Sequence, residues 1–448
     1  MATRHPATTV LTRRRILTLS GGLAAAGALA ACGGGADPTP QPTGPTSSPA
    51  PVLTQWVHRF AEAEYVSPTT GPRALDRYAA GFPDAHVELT WKQDGYAGEL
   101  AAALAAGTRP DVFDTDDGPT IDQVRSGEVA DLTDLLQHTP SGTSSSTSPD
   151  ISPDISPDIL ARLTDRGKIW GVPELLDARL LIYRTSMLAK AGVKPPTTLE
   201  ELVAACAALT TDKVKGIHLG DRGGADLISV PVVRSAGLDV LTSDHAASFA
   251  DPKVAAALAL LRVLHVKKQI LLGIPPQWYP SDAFTQGLAA MQLAGLYAFP
   301  AIQKAIGDDV GVLPWPAMAG GRPTVMVSAH TACVAADSPR LDLAKRYLRW
   351  LWIDGTDAQL DLATSDGLHV PARTSVAGRV DQLRTGVTGN ASALVRTAGY
   401  VLPMRWTPAC ATALRDAVAS VLLTGADAPK ALAAAAATVD AEQRRLGA

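Results

Sequence analysis

Residues 167–183 read Gly-Lys-Ile-Trp-Gly-Val-Pro-Glu-Leu-Leu-Asp-Ala-Arg-Leu-Leu-Ile-Tyr, and this stretch decides how the middle of the chain is built. Its apolar run 180–183 is short and continuous, which is typical of a buried β-strand. A helix should follow, because Thr198 and Glu201 have the spacing of a capping box and come after two prolines. A strand followed by a helix predicts α/β structure here.

The same alternation extends to both sides of this stretch. Apolar runs of strand type and segments of helical spacing follow one another along the chain. Strands are predicted at 52–57, 85–91, 111–113, 214–219, 309–313 and 324–335, and helices at 72–80, 96–106, 252–268, 281–293, 340–353 and 408–423. About 390 folded residues exceed what one hydrophobic core usually supports, so the sequence predicts two α/β lobes. The Ser-Pro-Asp-Ile repeat within 139–158 is predicted to be a solvated loop.

The start of the chain has the pattern of an export signal. Three arginines at 13–15 precede a mildly apolar stretch, which predicts a signal peptide over 1–31. The arginines resemble a twin-arginine signal, and the general export route stays open. Leu-Ala-Ala-Cys at 29–32 resembles a bacterial lipobox, in which a lipoprotein carries diacylglycerol and palmitate-type acyl chains on Cys32; a chance cysteine is the alternative. Residues 32–51, rich in Pro, Thr and Ser, are predicted to be a flexible tether to the cell membrane.

Composition excludes several classes of function. Removing residues 1–31 takes away four arginines and no acid, which changes the formal net charge from −4 to −8 and argues against nucleic acid as a partner. The nine histidines are never closer than twenty positions, so no local metal pair exists. There is no P-loop and no dinucleotide fingerprint, and we expect no cofactor. Cys206, Cys333 and Cys410 allow one disulfide at most, and buried free thiols are the preferred interpretation.

Six motifs occur in an order that resembles a known family. They are Phe-Pro-Asp at 82–84 with Val87, Leu-Ala-Ala-Gly-Thr-Arg-Pro-Asp-Val at 104–112, the 167–173 segment with Leu-Ile-Tyr at 181–183, Ala-Gly-Val at 191–193, Pro-Thr-Thr-Leu-Glu-Glu at 196–201, and Phe-Thr-Gln-Gly-Leu-Ala-Ala-Met at 284–291 with Gly295. Together they resemble the extracellular solute-binding proteins of ABC importers, in the sugar-binding branch that includes maltose-binding protein. Arg184 and Tyr297 depart from the Asn and Trp of the family pattern.

The resemblance implies a type II periplasmic-binding-protein fold, with two lobes joined by a hinge and the ligand in the cleft between them. Lobe one should comprise 52–176 and 311–338, and lobe two 177–310 and 339–448, with the chain crossing near 177, 311 and 339. The implied function is a monomeric receptor that passes a carbohydrate to ABC permease subunits and has no catalytic residues. A secreted glycoside hydrolase and a surface adhesion protein remain the alternatives, because paired acids can come from distant segments.

A sugar site needs polar groups for the hydroxyls and aromatic faces for the C–H surface of the ring. Asp177 lies four residues after Pro173, where maltose-binding protein also places an acid that contacts sugar. Asp114 and Asp117 follow the strand 111–113, and strand ends of open α/β sheets present ligand groups. The alternative for Asp177 is a hinge or surface Asp with no ligand, and the alternative for Asp114 and Asp117 is a helix N-cap.

Tyr297, Trp406 and Trp278 are the predicted aromatic contacts. Tyr297 takes the place of the family's Trp, Trp406 precedes the C-terminal helices, and Trp278 lies in a Pro-rich loop. Ordinary packing is the alternative for these three side chains, because large aromatic residues are mostly buried. Arg222 and Arg405 are the candidates for bidentate bonds to hydroxyls, and exposed surface arginines are the alternative.

Overall fold

A computed structural model describes residues 50–58, 74–92, 95–137, 150–220, 224–274, 281–365 and 367–447. The predicted signal peptide, Cys32 and all of the tether except its last two residues lie outside the described residues. In the part that is described, no helix is both long and apolar enough to span a membrane.

The strands follow one another from Val52 to Tyr400. They are β1 (Val52–His58), β2 (His86–Lys92), β3 (Val112–Thr115), β4 (Thr164–Asp165), β5 (Lys168–Ile169), β6 (Val172–Tyr183), β7 (Lys215–His218), β8 (Ile270–Leu271), β9 (Ala289–Gly295), β10 (Gly311–Leu313), β11 (Val325–Val334), β12 (Val370–Pro371) and β13 (Gly399–Tyr400).

Helices separate most of these strands. They are α1 (Ala74–Ala80), α2 (Tyr96–Ala106), α3 (Ile121–Arg125), α4 (Thr133–Leu136), α5 (Pro157–Arg162), α6 (Thr185–Ala191), α7 (Leu199–Leu209), α8 (Ala225–Ser235), α9 (Pro252–Val266), α10 (Asp282–Thr285), α11 (Phe299–Ile306), α12 (Leu341–Leu348), α13 (Thr356–Ser365), α14 (Thr374–Ala377), α15 (Gly386–Ala398), α16 (Pro408–Ala419) and α17 (Ala428–Leu446). Short 3₁₀ segments occur at Ser152–Asp154, Leu296–Ala298 and Asp381–Leu383, and π-helical segments at Arg349–Asp354 and Ser420–Thr424 follow α12 and α16.

One large sheet runs through the molecule in the order β2-β1-β3-β11-β6-β9-β7-β8. Its two central strands, β6 and β11, are long and antiparallel, with Asp177 opposite Ser328. The register between them shifts between His330 and Thr331, where a bulge lets two residues of β6 face one of β11. The 167–183 stretch therefore contributes the strand on which the rest of the sheet is assembled.

Two hydrophobic cores lie along this sheet. The first contains side chains of β1, α1 and α12, and the second contains side chains of α7, α8, α9, α16 and α17. Strand β6 takes part in both, because Leu180 and Ile182 enter the first core whereas Leu181 enters the second. Successive side chains of a strand point to opposite faces, which explains this division.

The predicted helix 281–293 is wrong. Only Asp282–Thr285 is helical, and Ala289–Gly295 is β9, which lies between β6 and β7 and is buried at every position. A strand buried on both faces loses the polar alternation that would distinguish it from a buried helix.

The cores also divide the C-terminal half differently from the predicted lobes. Helix α12 was expected in lobe two, but the Tyr347 hydroxyl donates a hydrogen bond to Gln55 of β1 at 2.9 Å and its ring contacts Phe82. Conversely, residues 311–324 were expected in lobe one, but β10 pairs with Tyr183 of β6 and Trp315 lies in the second core. The helices after Thr407 pack in the second core.

The three described cysteines are buried free thiols. Burial raises the pKa of Cys206 and of Cys333. The predicted interpretation of these residues as packed thiols is thereby confirmed.

Candidate functional site

A cavity of about 700 Å³ opens beyond the C-terminal end of β3. One side is formed by Tyr96 of α2 and the turn at 115–118, and the other by residues 402–408, which lead into α16. Trp406 on the second side belongs to the second core. Tyr96 and Leu100 on the first side belong to a smaller hydrophobic cluster with Phe113, so the cavity lies between that cluster and the second core.

Asp117, one of the predicted ligand contacts, lines this cavity. Its Oδ2 lies 3.7 Å from Nε of Arg162, and its Oδ1 has no hydrogen-bond partner among the described residues. Desolvation raises the pKa of Asp117 to about 6, and the Arg162 guanidinium opposes the rise. A carboxylate oxygen without a partner is available to accept a ligand hydroxyl or amine.

Asp114 is more deeply buried than Asp117. It is only 2% exposed and accepts a hydrogen bond from Nε2 of Gln55 at 2.9 Å, while its backbone oxygen accepts one from the Tyr96 hydroxyl at 2.7 Å. Burial raises the pKa of Asp114 to about 7, against the effect of the Gln55 bond. Asp114 therefore supports the cavity wall from behind and does not line it.

The neighbouring Asp116 is a cavity residue as well. Nδ1 of His58 contacts its carboxylate, and the His58 ring stacks on Tyr96 with centroids 4.7 Å apart. Asp116 and Tyr96, which both line the cavity, are thus connected through the His58 ring.

Asp177 sits in the middle of β6 with 8% of its surface exposed. Backbone N–H groups of Ala178 and Tyr297 donate to its carboxylate, but Oδ1 has no partner in the described part of the chain. Burial raises the pKa of Asp177, and the nearby His369 works in the opposite direction. Two of the predicted contacts, Asp177 and Tyr297, are thereby brought together.

Three polar residues near Asp177 were not predicted. Glu174 is 5% exposed at the bulge, and burial followed by the charge of Asp114 raises its pKa well above the usual range. The His330 ring meets the His369 ring edge to face at 5.7 Å, and His369 stacks on Tyr297 at 6.5 Å. A charged residue inside a nearly continuous apolar strand was the available signal for Glu174; isolated histidines carry none.

His330, the histidine next to His369, is buried. Burial lowers the pKa of His330 well below the usual range, and the charges of His369 and His58 add to this effect. The part of the chain that is described holds no cluster of three or more ligating side chains suited to a metal ion.

The remaining predicted residues fall in different places. Trp406 is 8% exposed, lines the cavity and meets Phe249 edge to face at 6.2 Å. Arg405 points away from the cavity, because its Nε donates to Gln443 at 3.1 Å and it borders a separate depression. The prediction for Arg405 is therefore not supported by its contacts. Arg222 and Trp278 lie outside the described residues.

Comparison with known proteins agrees with this architecture. The family model described as bacterial extracellular solute-binding protein matches residues 66–351. The diacetylchitobiose binding protein DasA of Streptomyces coelicolor is 26% identical over an alignment of 391 residues, and the match covers 82% of this chain and 82% of DasA.

Solved structures show the same fold. A tagatose-bound ABC transporter solute-binding protein of Thermotoga lettingae has a TM-score of 0.69 at 22% identity and covers 89% of this chain and 100% of its own. The GacH receptor of Streptomyces glaucescens has a TM-score of 0.69 at 21% identity, and the match covers 89% of this chain and 99% of GacH. Maltose-bound MalE3 of T. maritima has a TM-score of 0.68 at 22% identity, and the match covers 87% of this chain and 99% of MalE3. The two-lobed type II fold expected from the motifs is thus confirmed, and the chain belongs to the bacterial extracellular solute-binding proteins.

Proposed function

We propose that this chain is a lipid-anchored receptor that captures a carbohydrate and delivers it to the permease of an ABC transporter. Family membership supports the role of a solute receptor. The names of DasA, GacH and MalE3 associate those proteins with diacetylchitobiose, acarbose and maltose, and this supports a carbohydrate as the ligand. The receptor would act by conformational change and carry out no covalent chemistry.

The observation that carries the proposal is the set of buried carboxylate oxygens without partners. Asp117 Oδ1, Glu174 Oε1 and Asp177 Oδ1 have no hydrogen-bond partner within the described ranges. Buried polar groups are nearly always hydrogen-bonded in folded proteins, so such oxygens need a ligand or water. Sugar hydroxyls are suitable donors, and Tyr297 and Trp406 supply aromatic faces for the sugar ring.

Strands β6 and β11 would act as the hinge. They carry Asp177 and His330, and they are the strands through which the sheet passes from the first core to the second. A ligand that contacts both sides of the cavity favours the closed arrangement by its differential affinity.

The anchor is the second component of the proposal. Cys32 would carry the lipid, and residues 33–51 would provide a reach of some tens of ångströms at about 3 Å per extended residue. Replacing Cys32 with Ala should release the protein from the membrane and leave ligand affinity unchanged. A Cys32→Ala protein that stays in the membrane fraction contradicts the anchor.

Thermal-shift screening of the purified full chain tests the receptor function. At least one mono- or oligosaccharide should raise the melting temperature, as binding to the native state requires, and should be recovered unaltered. Binding should also reduce the radius of gyration in small-angle scattering. Stabilisation by peptides or amino acids alone contradicts the carbohydrate assignment, and product in excess of one equivalent indicates an enzyme.

A further inference from the structure

The described wall of the 700 Å³ cavity is acidic. It contains four carboxylates, Asp116, Asp117, Asp122 and Glu128, and one guanidinium, that of Arg162. Wall charges of one sign attract ligands of the other sign. The question is how many of these charges are already neutralised by partners.

Three of the groups are engaged within the protein, and one of them is Asp116, whose carboxylate contacts Nδ1 of His58. Asp122 receives two bonds of 2.9 Å from the guanidinium of Arg445. The Arg162 guanidinium donates to two backbone carbonyls of the turn, so it meets Asp117 only at 3.7 Å. The Glu128 carboxylate has no hydrogen bond or ion pair in the described portion of the chain. Negative charge therefore remains on this wall, and Asp117 contributes an oxygen without a partner.

Aromatic side chains face the same cavity. Tyr96 lines it from α2, and Trp406 lines it from the opposite side, buried to all but 8% and with no described partner for its indole Nε1. Aromatic faces attract cations, and the effect grows when the cation is desolvated. The buried indole is a second indication, independent of the acids, that a ligand with polar groups completes this cavity.

From these contacts we infer that the preferred carbohydrate is an amino sugar with a free, protonated amine, held by Asp116, Asp117 and Glu128. This inference rests on the proposed carbohydrate-binding function. The ammonium group donates to the carboxylates, and charge-assisted hydrogen bonds of this kind are stronger than bonds between neutral groups. Acetylation of the nitrogen removes the charge and should therefore weaken binding.

Three disaccharides of the same β-1,4-linked frame test the inference by calorimetry on the purified full chain. They are chitobiose with free amines, N,N′-diacetylchitobiose and cellobiose, measured at pH 7, where Asp117 is mostly ionised and an amine is still largely protonated. Chitobiose should bind about tenfold or more tightly than the other two, and added salt should reduce this preference.

Single substitutions test which carboxylates bind the amine. Asp117→Asn and Glu128→Gln should each abolish most of the chitobiose preference, whereas Asp212→Asn, at an exposed position outside the cavity, should retain it. Melting temperatures and affinity for a neutral disaccharide identify any variant that has merely lost its fold.

The outcomes separate the two proposals. Equal or tighter binding of N,N′-diacetylchitobiose or cellobiose, or binding only of other neutral glycans, overturns the amino-sugar inference and leaves the receptor function standing. If no saccharide of the screening library binds, the carbohydrate receptor itself is refuted, and the inference with it.

Discussion

Replacement of Asp177 with Asn should stabilise the ligand-free protein and weaken ligand binding. The buried Oδ1 has no partner in the described part of the chain, and a buried polar atom left in this state costs about 1–3 kcal/mol, more when charged. Asn removes the charge but accepts the backbone N–H bonds less strongly. We therefore expect a net gain of about 1 kcal/mol in the free energy of unfolding at pH 8.

The gain in stability of Asp177→Asn should depend on pH. Burial raises the pKa of Asp177, so the folded state holds the proton more tightly than the unfolded state does. This carboxyl therefore stabilises the fold least when it is ionised, and its contribution falls as pH rises from about 4 through its raised pKa. The advantage of Asp177→Asn over the wild type should grow across that window, while Asp212→Asn, at an exposed site, should show no such growth.

The affinity of Asp177→Asn for its ligand should decrease, whereas its stability should increase. A hydrogen bond to a charged group contributes about 1.5–3 kcal/mol, so affinity for the saccharide found by screening should fall about 10- to 150-fold. Urea unfolding from pH 4 to 8 and calorimetric titration measure the two effects. A variant that is less stable at every pH and binds normally would show that Asp177 has a structural role only.

Three further changes have definite expected outcomes. Gly216→Ala in β7 places a Cβ 2.5 Å from the Cα of Cys206 in α7 and should destabilise the fold by about 1–3 kcal/mol in urea unfolding. Gly98→Ala, on an exposed face of α2 with open space, should stabilise it by about 0.4–1 kcal/mol. Equal effects of the two changes would contradict this close approach of α7 to β7. Trp406→Ala should weaken saccharide binding at least tenfold in calorimetry, because the indole ring lines the cavity. Unchanged affinity would show that the saccharide binds outside this cavity. Burial lowers the pKa of His330, so this residue reduces the stability of the fold as pH falls below about 6.5. His330→Asn should therefore unfold at a higher urea concentration than the wild type at pH 5 but not at pH 8. A difference in urea midpoint that does not change with pH would contradict the burial of His330.

Local features of the fold were accessible from sequence. Helix α2 occupies the predicted range, and the capping box of α7 is present, with Thr198 Oγ1 accepting from the Glu201 N–H at 3.1 Å. These features depend on neighbours within one turn. Strand β9 was not accessible, because its apolar run is equally consistent with a helix, and only pairing with β6 and β7 decides between them.

The candidate site shows the same difference between local patterns and long-range pairing. Asp177 and Asp117 follow motifs with fixed spacing, so their positions transfer from the pattern. Glu174 and His330 depend on the bulge between β6 and β11, and a shift in register cannot be obtained from either strand alone. The contact of α12 with β1 likewise depends on tertiary packing between segments that are far apart in sequence.

The passage of one sheet through both cores has a consequence for how the chain folds. Strand β11 pairs with β3, and Thr115 donates to the Thr331 carbonyl across 216 positions of sequence. The central pairing therefore cannot form until three-quarters of the polypeptide has been synthesised. Contacts of such long range slow folding, and until β11 arrives the edges of β3 and β6 are open to other chains. A newly made copy should depend on chaperones during this interval.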